Sequence, residues 1–238
     1  MDSSVVAIFE TGFNVVYLLV VWALVILMAV KLKKVAGKNL PAAKWILAAF
    51  VLLAAGDSGH VGFRVAAHLM NDLNKEVMVF GSPMSLVGIG MMTTAFTVTL
   101  FYMVMVFVWQ TRYHKPANWL TNLVMGAGVA RLAFMALPAN QWGNVVPPQP
   151  VSLYRNLFLI VQGVGIIGLF LYSAYKENDT PFKWVGWMIV LSYAFYIPVI
   201  LFAQKFPLIG MLMIPKTCAY VAVAIIAYQG LWKIKKHK

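Results

Sequence analysis

The chain has 238 residues, 62% of them hydrophobic and only 11% charged, with 19 Lys and Arg against 7 Asp and Glu and a formal net charge of +12. A soluble domain of this length cannot bury so much apolar surface, and the apolar residues come in long unbroken runs, as membrane spans do. The basic excess needs no nucleic acid to explain it, because 13 of the 19 cations fall in segments between or after apolar runs on one side.

The first expected span runs from Phe13 to Val30 and ends in Lys31, Lys33 and Lys34. The N-terminus has no basic stretch and no small-residue cleavage site follows the span, so it reads as retained rather than as a signal peptide. The second runs from Ala43 to Met70 and the third from Ser85 to Trp109, followed by Arg112 and Lys115. The fourth covers Trp119 to Leu137, before a loop with Pro138, Pro147, Pro148 and Pro150. The fifth covers Leu153 to Tyr175, the sixth Trp184 to Ala203 and the seventh Pro207 to Trp232. Lysines cluster after spans one, three, five and seven, whereas the opposite loops hold only Lys75 and Lys205. The positive-inside rule then predicts an all-α polytopic bundle of seven transmembrane helices, N-out and C-in, forming a single multi-pass domain in the cell membrane. The lone cysteine, Cys218, allows no intramolecular disulfide.

Charges inside the spans mark a site, because ionisable groups at membrane depth are costly and face a cavity or a partner. Asp57, His60, Arg64 and His68 follow at spacings of 3, 4 and 4 in span two. At about 100° per residue they fall within roughly 80° of one face. Ala55, Gly59, Gly62 and Ala66 fall on the opposite face, where small residues would let another helix approach. Glu10, Asn14 and Tyr17 form a stripe at the start of span one, and Arg131, Arg155, Asn156 and Lys216 lie in spans four, five and seven. All sit at mid-depth or in the outer half. Stretches such as Leu100–Val108, Val164–Leu171 and Val221–Ala227 carry no charge. This asymmetry predicts a dead-end pocket open outward.

Arg64, Arg131, Arg155 and Lys216 outnumber Asp57 and Glu10 in that pocket. Buried cations need anions, so an anionic small molecule or lipid headgroup is the expected ligand, with membrane lipids the surrounding partner. Asn156, Tyr196 and Tyr220 add polar lining. Pro198 and Pro215 are expected to kink their helices, Pro215 directly before Lys216. Asp57 and His60, one turn apart, suit acid–base work, so the leading expectation is a lipid-directed hydrolase. A non-catalytic receptor, sensor or carrier for an anionic ligand is the alternative. A zinc site would need about three ligands, and no second histidine cluster supplies them. No particular cofactor follows from the sequence.

The string Gly56-Asp57-Ser58-Gly59 matches a serine-protease sequence, but in a helix Ser58 projects about 100° away from Asp57. The paired histidines of the ceramidase and adiponectin-receptor type of membrane hydrolase are absent. The run Leu53-Ala54-Ala55-Gly56-Asp57, with Gly88 to Tyr102 in the next span, resembles the lysoplasmalogenase-like multispanning family over about a fifth of the chain. That resemblance implies hydrolysis of an ether-lysolipid with Asp57 as a catalytic carboxylate. Lys216 in the seventh span, the N-out topology and Tyr193-Ala194-Phe195-Tyr196 are similar to the retinal-binding rhodopsins. That similarity implies a Schiff base on Lys216, with Asp57 standing in for a counter-ion, since span three has no acidic residue.

Overall fold

A computed structural model describes residues 3–70, 72, 74–79 and 81–232, with side chains described from residue 12 onward except at 68 and 82. It is an all-α polytopic membrane fold of seven bundle helices: α1 (Ser3–Lys31), α2 (Leu40–Leu69), α3 (Leu86–Tyr113), α4 (Trp119–Met135), α5 (Val151–Lys176), α6 (Thr180–Phe202) and α7 (Met213–Leu231). Six are long and apolar enough to cross a membrane. Helices suit lipid because every backbone polar group finds its partner within the segment. At 17 residues, α4 rises only about 25 Å, less than a typical ~30 Å hydrocarbon core. It is held between α3 and α5.

Local chemistry sets the helix ends. At the start of α4 the Asn118 side chain accepts from the Thr121 backbone N–H at 2.9 Å, and the Thr121 hydroxyl accepts from the Asn118 N–H at 2.7 Å. Ser85 caps α3 by accepting from the Gly88 N–H. His114, at φ 51°, closes its other end.

The loop between α2 and α3 is more ordered than its sequence suggests. Strands β1 (Glu76–Val79) and β2 (Ser82–Ser85) pair antiparallel, with Glu76 opposite Ser85 and Val79 opposite Ser82. Gly81, at φ 82°, takes the left-handed turn position that favours glycine. The hairpin leans on the loop between α4 and α5, where the Ser85 N–H donates to the Gly143 carbonyl.

The lysine-rich loops gather at one end of the bundle. There Arg112 pairs with Asp179 at 2.8 Å and donates to Asn39, which in turn donates to the Leu231 carbonyl. The apolar core fills the half toward that end, where Phe101, Met105, Val108, Ile166, Phe170, Val223 and Ala227 are fully buried. Large apolar side chains on the outside, such as Leu19, Ile26 and Val30 of α1, face the lipid.

Two expectations about helices change. Of the small face Ala55, Gly59, Gly62 and Ala66 on α2, Gly59 does meet a neighbouring helix, whereas Ala55 and Gly62 are exposed, so the close approach is centred on Gly56 and Gly59. Gly56 and Gly59 meet Thr97 and Thr93 of α3, and Gly90 lies against the backbone of His60. The seventh span is also not one helix kinked at Pro215. A 3-10 segment over Pro207–Leu212 precedes α7, and Pro215 sits in the first turn of the α-helix. A proline there sacrifices no internal hydrogen bond, because first-turn N–H groups have no helical partner.

Candidate functional site

Asp57 lies near the middle of α2. Its Oδ2 accepts from the Tyr17 hydroxyl of α1 at 2.5 Å. One turn on, the Nδ1 of His60 is buried without a partner. Arg64, a further turn along, acts electrostatically on His60. From α7, Lys216 interacts with both Asp57 and His60 through their charges. It does so without a direct ion pair to Asp57: between described residues those pairs are Arg112–Asp179 and Lys115–Glu177.

Two aromatic faces hold the Lys216 ammonium. Its Nζ lies 4.6 Å from the ring centre of Tyr196 and 5.6 Å from that of Tyr220, a cation–π arrangement that gains strength away from water. The Tyr196 hydroxyl donates to Asn156 Oδ1 at 3.1 Å, which fixes the ring. The Tyr220 hydroxyl shares a 2.6 Å hydrogen bond with Tyr102. Tyr193 packs between Tyr102 and Tyr196 and donates to the Leu159 carbonyl at 2.7 Å. Asp57, His60, Arg64, Lys216, Asn156 and Tyr196 are each only half-buried, whereas Tyr17, Tyr102, Tyr193 and Tyr220 behind them are buried.

The arginines on α4 and α5 make contacts within the bundle. Arg131 is 2% exposed. Its Nε donates to the Arg155 carbonyl at 3.0 Å, and its Nη1 donates to Thr99 Oγ1 at 2.8 Å and to the Ala95 carbonyl at 3.4 Å. Neutral oxygens of α3 and α5 thus occupy the guanidinium, and Arg131 ties three helices together. Arg155 donates to Asn140 Oδ1 and lies 4.2 Å from the centre of the Trp142 ring. Both remain within electrostatic reach of Tyr196, and Arg131 of Lys216. The side chains of Glu10 and His68 fall outside the described residues.

Sequence reading overlooked Thr99 and Tyr102, one just before and one inside the charge-free stretch of span three. A tyrosine at mid-depth in an otherwise apolar helix was the available signal. Nothing in the sequence marked Trp142 or Asn140 as partners of Arg155. Among the described residues no three His, Cys, Asp or Glu side chains gather to hold a metal ion. A surface hollow of about 420 Å³ lies elsewhere, lined by Arg112, Tyr113 and residues 177–181 at the lysine-rich end. It is nowhere near Asp57, and the chemistry points to the polar cluster instead.

No protein-family model, curated protein or solved structure matches the chain. The functional reading rests on this site alone.

Proposed function

We propose that this multi-pass membrane protein binds an anionic amphiphile in the polar cluster between α1, α2 and α7 and hydrolyses it. The supporting observation is the set of half-buried groups Asp57, His60 and Lys216, drawn from two helices into one electrostatic cluster with a buried, unpartnered His60 Nδ1. An imidazole nitrogen without a protein partner is left over for a ligand, or for a water that enters with it, as proton acceptor. Asp57, steadied by Tyr17, supplies the second acid–base group. Arg64 and Lys216 offer positive charge to the anionic head, while the acyl or alkyl chain stays in the lipid. Arg131 and Arg155 serve this site by holding its wall. The site opens toward the hairpin end, which the lysine distribution assigns to the outside.

The test compares wild-type protein with Asp57→Asn on a panel of ester- and ether-linked lysophospholipids, with products and retained lipid both followed by mass spectrometry. Turnover is expected to vanish in Asp57→Asn while lipid retention survives. Unchanged turnover sinks the reading. Retention without turnover in wild-type protein makes the chain a receptor or carrier for the same ligand class.

One observation favours a second reading. Asp57 is the carboxylate whose charge acts on Lys216, which supports it as the counter-ion of a protonated imine in the rhodopsin-like alternative. A visible absorption band on adding retinal, lost in Lys216→Arg, would establish that reading.

A further inference from the structure

The ends of α5 and α6 carry a surface unlike the rest of the lipid-facing bundle. Tyr172 is 68% exposed, Tyr175 54%, Trp184 55% and Trp187 45%. Four large aromatic side chains thus stand open on two adjacent helix ends. Two lysines lie over them. Lys176 Nζ is 5.9 Å from the Tyr172 ring centre, and Lys183 Nζ is 4.9 Å from that of Tyr175. The Trp187 indole N–H donates to the Tyr175 hydroxyl at 3.1 Å, which fixes the two rings relative to each other.

The charge of this patch is not cancelled by its own turn. Glu177 is engaged by Lys115 at 3.1 Å, and Asp179 by Arg112 at 2.8 Å, both from α3 or the residues just after it. Lys183 donates to the neutral Asn178 Oδ1 at 3.4 Å. Two ammonium groups are therefore presented beside aromatic rings at the level where a membrane helix leaves the hydrocarbon. Aromatic rings settle at the headgroup level of a bilayer, and basic residues beside it attract anionic lipid by about a factor of five each.

The geometry points to a binding site for one anionic phospholipid at the α5–α6 end. Lys176 and Lys183 would hold the phosphate, and the rings of Tyr172, Tyr175, Trp184 and Trp187 would border the glycerol and upper acyl chain. The open rings argue for a lipid headgroup over a free phosphate ion, which would leave them without a contact. This site lies at the opposite end of α5 from Asn156 and is independent of the reading given to Asp57.

Native mass spectrometry of purified protein in equimolar phosphatidylglycerol and phosphatidylcholine tests it. Wild-type protein is expected to retain phosphatidylglycerol preferentially, and Lys176→Gln with Lys183→Gln should lower that preference about thirtyfold. Lys33→Gln with Lys34→Gln removes the same charge from two exposed lysines of another loop at this end, and should leave the preference in place. Equal retention of both lipids by wild-type protein overturns the inference. So does an equal loss in both double variants, no loss in either, or complete displacement by millimolar inorganic phosphate.

Discussion

Gly163 shows how tightly the wall of the site is built. A β-carbon there would lie 1.9–2.2 Å from Tyr193 Cζ, Oη and Cε2, far inside van der Waals contact. In Gly163→Ala the Tyr193 ring must therefore leave its place. It is 5% exposed and packs against the Tyr102 and Tyr196 rings. Overpacking of this kind costs about 1–3 kcal/mol. Losing the Tyr193 bond to the Leu159 carbonyl adds about 0.6 kcal/mol, the usual worth of such a bond in a membrane bundle. Alanine returns up to about 1 kcal/mol through helix propensity. A net loss of about 1–3 kcal/mol corresponds to a melting point lower by roughly 3–10 °C for a chain of this size. Gly126→Ala is the control, since nothing lies within 4 Å of its β-carbon, and it should melt at or slightly above wild type. Thermal unfolding in one fixed detergent, followed by tryptophan fluorescence, reads both. Adding Tyr193→Leu to Gly163→Ala should recover part of the loss, giving a coupling of about 0.5–3 kcal/mol. If Gly163→Ala melts with or above Gly126→Ala, the packing of Tyr193 against α5 is not as described.

The role given to Arg131 separates structure from binding. Arg131→Gln loses at least two of its hydrogen bonds to α3 and α5 and should destabilise by about 1–3 kcal/mol. The folded fraction should retain as much lysolipid as wild type, and a selective loss of retention at unchanged melting temperature would return Arg131 to the ligand. Orientation is open to cysteine labelling in a Cys218→Ser background. With a membrane-impermeant maleimide on intact cells, Lys75→Cys should react, whereas Lys34→Cys and Lys183→Cys should react only after permeabilisation. The reverse pattern would invert the bundle, and a difference between positions 34 and 183 would break the seven-helix topology.

Span two, from Leu40 to Leu69 in the structure, was legible because its apolar run is too long for anything but a membrane helix. The face shared by Asp57, His60 and Arg64 follows from the helical period alone. Their meeting with Lys216 was not legible. Nothing in the intervening sequence states that α7 returns beside α2, nor that a 3-10 segment shifts where its helix begins. The hairpin at residues 76–85 was missed because four-residue strands leave too few positions to show a period.

The sequence by itself determined the class of the molecule, since hydrophobic length and the distribution of lysines act residue by residue and need no partner. It also determined which charges fall inside the apolar runs. Only the tertiary structure decided what each charge touches. Arg131 and Lys216 look alike in sequence, each a cation in an apolar span. One donates to the oxygens of Thr99, Arg155 and Ala95. The other rests beside two tyrosine faces, half-buried and within electrostatic reach of Asp57. A hydrogen bond depends on what another helix places within about 3 Å, and that is fixed by packing.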